Sequence, residues 1–226
     1  MKPVIAALAL MFGAAPAMAA DRPVVVELFQ SQGCSSCPPA NANLNAIAGR
    51  PDVLALSFGV TYWDQLGWKD TFATKAYTDR QRAYAQALDV QLGTPEMVIE
   101  GRDSVIGADA REVDAALRRA RPASETRIAN ASGRIEIAAG RAPRRPADVW
   151  LVRYDPRVQQ VSIRRGENGG KTLPHRDIVR QLTRLGGWSG AAVNFAAPPA
   201  SDSAYRTAVL VQAPNGGPIL AAARLD

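Results

Sequence analysis

The chain has very few of the residues that build metal sites and disulfide frameworks. Its 226 residues include two cysteines and one histidine. Two cysteines exclude a small scaffold that is held together by several disulfides. The one histidine, His175, stands in no ligand pattern with Cys, Asp or Glu, which favours a structural role. We therefore predict neither a metal site nor a cofactor.

Long apolar runs are missing after the N-terminus. No later stretch reaches the roughly 18 apolar residues that a membrane-spanning helix needs, so we predict no membrane span. The N-terminus itself has one positive charge at Lys2, an apolar run over roughly residues 4–15 and a small-x-small cleavage site at residues 17–19. This pattern is typical of a cleavable secretory signal peptide, here residues 1–19, and predicts a periplasmic protein.

Clustered charge of one sign is also missing, although basic residues outnumber acidic ones. The chain has 27 Lys and Arg against 21 Asp and Glu, a formal charge of +6. The arginines are scattered, and they are not interleaved with aromatic residues, which make up only 6% of the chain. An exported protein also meets little nucleic acid. We therefore predict no nucleic-acid partner and interpret most of the charge as solvated.

The two cysteines, Cys34 and Cys37, lie in a setting that favours a redox pair over a structural cross-link. Their short spacing closes a very small loop, and such a disulfide gives little entropic stabilisation. The preceding VVVELF at residues 24–29 predicts a buried strand, and the prolines at residues 38–39 are tolerated in the first turn of a helix. We therefore expect the helix end to favour the Cys34 thiolate, with Cys37 as the more covered, resolving thiol.

The rest of the first half continues the alternation of strands and helices. The predicted elements are a strand over 53–60, a helix over 75–90, two strands that turn at 101–103, and a helix over 109–120. With C-x-x-C after the first strand, this order resembles the thioredoxin fold. The resemblance implies a cis-proline, Pro95, that faces the cysteines after Thr94. We predict a thioredoxin-like α/β domain over residues 20–121.

An acidic residue in the first strand, Glu27, is a candidate catalytic residue. It resembles the buried carboxylate that thioredoxins place behind their cysteines, where it can take the proton of the resolving thiol. Burial raises the pKa of a carboxyl group, which suits a base that works near neutral pH. The alternative is an acid that pairs with an arginine on a half-exposed strand.

The loop at residues 61–75 is rich in aromatic residues and should lie beside Cys34. Parallel strands bring their carboxyl ends to one edge of a sheet, and ligands bind there. Trp63 and Trp68, together with Thr94, are therefore the candidate substrate-binding residues. The alternative is that the aromatic side chains only pack the loop against the domain.

The second half of the chain, about 124–226, has a different pattern. Apolar and polar residues alternate with a period near two, which predicts a smaller antiparallel β domain, sandwich-like, after a linker around residues 121–124. Residues 175–188, HRDIVRQLTRLGGW, interrupt the alternation. They predict a short amphipathic helix or a structured loop.

Four stretches of the first half read VELFQSQGCSSCPPAN, YWDQLGWKDTFA, RQRAYAQAL and TPEMVIEG. Together they resemble the secreted thioredoxin-like family known as domain of unknown function 1223, and the similarity extends over nearly the whole mature chain. Members often carry a His and an Asp where this chain has Gly59 and Thr61, so we assign no acid–base or metal role to these two positions. The resemblance implies a fold and a periplasmic location, and no reaction.

These observations together predict a periplasmic thiol–disulfide oxidoreductase that uses Cys34 and Cys37. Its substrate would be a protein or small-molecule thiol or disulfide, with a redox partner that the sequence does not identify. Ser35 and Ser36 stand where strongly oxidising members of this fold carry a histidine, so the choice between reductant and isomerase stays open. One alternative is Cu(I) binding by the two thiolates, with Met97 as a third soft ligand. Another is a β-rich interaction module with a vestigial redox site.

Overall fold

The computed structural model describes residues 22–122 and 126–225. The predicted signal peptide therefore lies outside the described residues, as does part of the predicted linker. Among the residues described, no helix is both long enough and apolar enough to cross a membrane.

The first half alternates strands and helices in the predicted order. Its elements are β1 (Val24–Gln30), α1 (Cys37–Ile47), β2 (Val53–Gly59), a 3-10 helix (Asp64–Leu66), α2 (Lys75–Leu88), β3 (Glu96–Ile99), β4 (Asp103–Ile106) and α3 (Ala110–Arg119). The second half contributes only strands to the described structure. They are β5 (Ile128–Ala131), β6 (Arg134–Ile137), β7 (Ala147–Asp155), β8 (Gln159–Ser162), β9 (Thr172–His175), β10 (Ile178–Trp188), β11 (Val193–Ala196), β12 (Arg206–Gln212) and β13 (Ile219–Arg224).

Eight of the strands form one mixed sheet that both halves share. Its order is β13-β12-β7-β10-β2-β1-β3-β4. Strands β1 and β2 are parallel, and β3 is antiparallel to β1. The two halves join where Ile178 of β10 pairs with Ser57 of β2, whose N–H donates to the carbonyl of Asp177 at 2.8 Å. The predicted division into domains at residues 121–124 stays a prediction, and the described sheet runs through both segments.

The prediction of a helix or loop over residues 175–188 is wrong, because most of this stretch is strand β10. The strand pairs with β7 from Ile178 to Trp188, with register shifts between Val179 and Gln181 and between Arg184 and Gly186. Each such irregularity changes which face the following side chains point to. The alternation of apolar and polar residues is therefore lost from the sequence of β10, although its backbone is extended.

Strand β1 is buried on both faces, which explains its nearly continuous apolar sequence. Val26 and Leu28 pack with the residues of α1 and α3, whereas Val25 and Phe29 pack on the other face with the tyrosines of α2. Successive side chains of a strand point to opposite faces, so Glu27 shares the face of Val25 and Phe29. The sheet therefore separates α1 from α2.

Two smaller antiparallel sheets complete the second half. Strands β11, β6 and β5 form one of them. Its residues Ile135 and Ile137 pack with Val149 and Val211 of the large sheet, so that two sheets enclose a common core. Strands β8 and β9 form the other, a hairpin that reaches α1, where the Asn45 side chain donates to the carbonyl of Pro174 at 3.5 Å.

Candidate redox site

The two cysteines form a disulfide at the start of α1. Their Cα atoms lie 5.4 Å apart. The Cys34 N–H donates to the carbonyl of Ser31 at 3.1 Å, and the Cys37 N–H donates to the carbonyl of Cys34 at 3.2 Å, so a pair of turns leads into the helix. Proline in the first turn of α1 removes an N–H that has no partner in the helix. The helix itself begins at Cys37, and Cys34 precedes it by three residues.

Both sulfur-bearing residues are covered. The exposed fraction is 0% for Cys34 and 1% for Cys37, so exposure does not distinguish the two residues, and the prediction that Cys37 is the more covered thiol stays a prediction. The neighbouring Ser35 and Ser36 are exposed. A residue of the second half of the chain, Asn168, donates to the Cys34 carbonyl at 2.8 Å, which local sequence patterns around the cysteines cannot show.

The Cys34 sulfur receives a hydrogen bond from the loop before β3. The Thr94 hydroxyl donates to Cys34 Sγ at 3.4 Å and accepts from Trp63 Nε1 at 2.7 Å. The Thr94–Pro95 peptide bond is cis, as predicted. On the other side, Ser36 Oγ lies 3.3 Å from Cys34 Sγ. The structure therefore brings together Cys34, Thr94 and Trp63 from three separate elements.

Trp68 also belongs to the aromatic loop, and its indole N–H donates to Gln32 Oε1 at 2.9 Å. Gln32 is fully buried, and its side-chain amide also donates to the Thr71 hydroxyl at 2.9 Å. This arrangement packs the loop against the segment that carries Cys34. A substrate role for Trp68 stays a prediction.

A buried acid, Asp70, ties the same two segments together. It accepts from the N–H of Gln32 at 2.7 Å and from those of Phe72 at 2.8 Å and Ala73 at 3.1 Å. Burial raises the pKa of Asp70 to about 6, although these hydrogen bonds oppose the rise. The loop packs so closely that a Cβ at Gly59 would lie 2.8 Å from the Ala73 nitrogen. Sequence reasoning missed both Gln32 and Asp70, since a polar residue in a loop usually indicates exposure.

Glu27 does not meet the cysteines. Its carboxylate receives two hydrogen bonds from Arg80, at 2.5 and 2.8 Å, and a third from the Tyr84 hydroxyl at 2.7 Å. Both partners belong to α2, on the face of the sheet opposite α1. The buried charge of Glu27 raises the pKa of Arg80, although desolvation alone would lower it. The pairing with an arginine is therefore the better of the two predictions, but both side chains are buried and not half-exposed.

A loop from the second half, residues 164–171 between β8 and β9, completes the surroundings of Cys34. The Asn168 side chain is fully buried, and its Nδ2 donates to the carbonyls of Gln32 at 3.0 Å and of Cys34 at 2.8 Å. The neighbouring Glu167 accepts from the Ser35 N–H at 3.0 Å. Neither residue stands in a pattern that sequence analysis recognises as part of a redox site.

Comparison with known families agrees with the sequence resemblance. Residues 25–212 match the family described as "Protein of unknown function (DUF1223)". The chain belongs to the DUF1223 family. The matched range includes the cysteine pair, the Thr94–Pro95 bond and the loop that carries Asn168.

A solved structure is also similar to this DUF1223 protein. It is the X-ray crystal structure of protein AGR_C_4864 from Agrobacterium tumefaciens, with 34% sequence identity and a TM-score of 0.71. The alignment covers 89% of this chain and 93% of the other. No curated protein matches the chain.

The remaining candidates of this DUF1223 protein lie in packed surroundings. His175 is buried against the Phe72 ring, with ring centroids 5.9 Å apart, and burial lowers its pKa to about 4. Met97 packs with Leu28 and Ala40 under α1. Within residues 22–122 and 126–225, no three His, Cys, Asp or Glu side chains are grouped so that they could hold a metal ion.

Proposed function

We propose that this DUF1223 protein is an exported thiol–disulfide oxidoreductase whose redox centre is the Cys34–Cys37 pair. One observation carries the proposal: the Thr94 hydroxyl, next to a cis-proline, donates a hydrogen bond to Cys34 Sγ at the entrance to α1. A donor that already points at this sulfur would stabilise the negative charge of a thiolate. A purely structural disulfide needs no such donor.

The exchange transfers two electrons between the pair and a partner dithiol. A partner thiolate attacks Cys34 Sγ, the Cys34–Cys37 bond breaks, and Cys37 leaves as a thiolate that takes a proton from solvent. The second partner thiol, once deprotonated, attacks the partner sulfur of the mixed disulfide and releases Cys34. The partner leaves as a disulfide, and both cysteines are reduced. The same steps in reverse reduce a partner disulfide, and the relative potentials set the direction.

The hydrogen bonds support Cys34 as the sulfur that exchanges with the partner. Its sulfur has the Thr94 hydroxyl at 3.4 Å and the Ser36 hydroxyl at 3.3 Å. Cys37 is already part of the helix, as the first residue of α1. The distinction between the two thiols therefore rests on donors to the sulfur and not on exposure, which is nearly equal.

The thioredoxin-like assignment of residues 20–121 and the periplasmic location belong to the same proposal. The order β1-α1-β2-α2-β3-β4-α3 and the C-x-x-C at the start of α1 support the fold. The sequence of residues 1–19 supports export. The partner is a protein or small-molecule thiol or disulfide, and the exchange needs no cofactor.

An open groove beside the Thr94–Pro95 bond is the place where we expect a partner segment to bind. Its volume is about 510 Å³, and Ser36, Val90 and Ile106 contribute to its walls. Ile106 is 62% exposed, which is high for an apolar side chain in a strand, and it offers apolar contact to a segment that carries a reactive thiol.

Trapping of mixed disulfides tests the proposal. The mature protein with Cys37→Ser should accumulate mixed disulfides through Cys34 in periplasmic extracts, because no second thiol can release the partner. The Cys34→Ser variant is the matched control and should trap far less. Equal trapping by both variants, or none by either, would contradict the proposal, and copper analysis of the same preparations tests the Cu(I) alternative.

A further inference from the structure

The loop at residues 164–171 lies directly over the segment that carries the exchanging sulfur. Asn168 is the one anchor of this loop that is fully buried, and it binds two backbone carbonyls of the cysteine loop, those of Gln32 and Cys34. Lys171 in turn donates to Asn168 Oδ1 at 3.0 Å. An amide that spans two carbonyls fixes both segments, because each carbonyl would otherwise need another donor in a buried place.

The second contact of the loop places a negative charge at the entrance to α1. Glu167 Oε2 accepts from the Ser35 N–H at 3.0 Å, one residue after Cys34. The hydrogen bonds from the Ser35 backbone and side chain lower the pKa of Glu167, so this carboxylate is ionised at neutral pH. A thiolate at Cys34 would add a second negative charge one residue before the N–H that Glu167 accepts from, and like charges disfavour each other.

The rest of the loop is held by hydrogen bonds within its own backbone, from the Gly169 N–H to the carbonyl of Gly166 at 3.0 Å and from the Gly170 N–H to that of Ile163 at 2.8 Å. Its residues other than Asn168 and Lys171 include three glycines, and Gly166 and Gly170 have φ angles of 75° and 82°. The hairpin that carries the loop belongs to a separate two-stranded sheet, so the loop can move without breaking the large sheet. Gly166 approaches the aromatic loop closely, since an added Cβ would lie 3.3 Å from Trp68 Cβ.

We propose that residues 164–171 form a lid that Asn168 and Glu167 close over the Cys34–Cys37 disulfide, and that this lid must open before a thiol reaches Cys34 Sγ. The purpose of the lid rests on the proposed redox function, but its existence does not. In the closed position Cys34 is 0% exposed. Formation of a Cys34 thiolate weakens the Glu167 contact, so the reduced protein holds its lid less tightly than the oxidised one.

The rate at which a small phosphine reduces the disulfide measures opening of the lid. The oxidised mature protein is mixed with excess tris(2-carboxyethyl)phosphine at one pH, and samples are quenched with a maleimide that shifts the gel mobility of free thiols. Asn168→Ala should speed reduction about tenfold or more, because two hydrogen bonds to the cysteine loop are lost. Glu167→Gln should speed it by a smaller factor.

Matched variants control for the chemical changes themselves. Asn130→Ala and Glu136→Gln make the same substitutions at β5 and β6 in the separate three-stranded sheet, and both should react at the wild-type rate. If Asn168→Ala and Glu167→Gln have a native circular dichroism spectrum and their disulfide is reduced at the wild-type rate, the lid proposal is overturned. If Asn168→Ala does not fold, hydrogen exchange of residues 164–171 in the wild-type protein decides: faster exchange after reduction supports the lid, and equal exchange overturns it.

This experiment separates the lid from the proposed function. If the disulfide of the lid variants is reduced faster but the protein traps no partner, the result supports the lid and contradicts the oxidoreductase function. If the protein traps partners but its lid variants are reduced at the wild-type rate, the result supports the oxidoreductase function and contradicts the lid.

Discussion

The Thr94 hydroxyl donates a hydrogen bond to Cys34 Sγ over 3.4 Å. The same hydroxyl accepts a hydrogen bond from the indole N–H of Trp63 at 2.7 Å. Trp63 of the aromatic loop therefore donates to Thr94, and Thr94 donates to Cys34. This arrangement links the chemistry of the sulfur to a loop more than twenty residues away in sequence.

Replacement of Thr94 by valine tests this hydrogen bond. Thr94→Val keeps the shape and removes the donor, so a Cys34 thiolate loses a hydrogen bond to a charged group, worth about 1.5–3 kcal/mol. In the reduced protein, the midpoint pH for alkylation of Cys34 should rise by about one to two pH units. Thr183→Val, which removes a hydroxyl from β10, is the control. An unchanged midpoint in Thr94→Val would show that the hydroxyl does not stabilise the thiolate.

Trp63 should report the redox state by its fluorescence. A disulfide quenches nearby indoles, and Trp63 is joined to Cys34 through a single residue, Thr94. Reduction should therefore change the tryptophan emission of the wild-type protein, with thiol titration to confirm the reduction. Trp63→Phe should lose most of the change, whereas Trp150→Phe, beside Arg80, should keep it. If Trp63→Phe behaves like the wild type, another tryptophan lies closer to the disulfide.

The features of the site that depend on short stretches could be predicted from the sequence. An apolar β-branched run, a C-x-x-C and prolines in a first turn all act locally, and they place the disulfide at the start of α1. The Thr94–Pro95 bond was expected from the resemblance to the thioredoxin fold, and it is cis.

The parts that escaped prediction depend on contacts between distant residues. Asn168 lies 134 residues after Cys34, and its position follows from the way the β8–β9 hairpin packs on α1. Glu27 is 53 residues from Arg80, so its partner became visible only when α2 was placed on one face of the sheet. Strand β10 was missed for a different reason, since its two register shifts remove the alternation that identifies a strand.

The ion pair between Glu27 and Arg80 should matter for stability. Both side chains are nearly inaccessible, at 1% and 5% exposure. Glu27→Gln leaves the guanidinium buried without its counter-charge, which should lower the free energy of unfolding by about 3–5 kcal/mol. Urea denaturation measures the change, and the double variant Glu27→Gln with Arg80→Met should be less destabilised than the sum of the single variants.

An exposed ion pair on the same helix provides the comparison. The side chains of Lys75 and Asp79 are 81% and 46% exposed, so Asp79→Asn should cost less than about 1 kcal/mol. Equal effects of Glu27→Gln and Asp79→Asn on the urea midpoint would contradict the view that burial makes the Glu27 pair important.

His175 should make the protein less stable in acid. Burial lowers its pKa to about 4 in the folded protein, against an ordinary value of 6.5. Between these two values the unfolded chain binds more protons than the folded one, so stability falls as the pH is lowered from about 6.5 to about 4. The loss that this residue contributes is on the order of 3 kcal/mol.

Because His175 is the only histidine, its ring protons can be followed without ambiguity by NMR, and they should titrate well below pH 6. The His175→Leu variant fills the same apolar place without a titrating group, so the stability difference between it and the wild type should grow in favour of the variant as the pH falls. A titration midpoint near 6.5, or a stability difference that does not change with pH, would mean that the ring is not buried against Phe72 in solution.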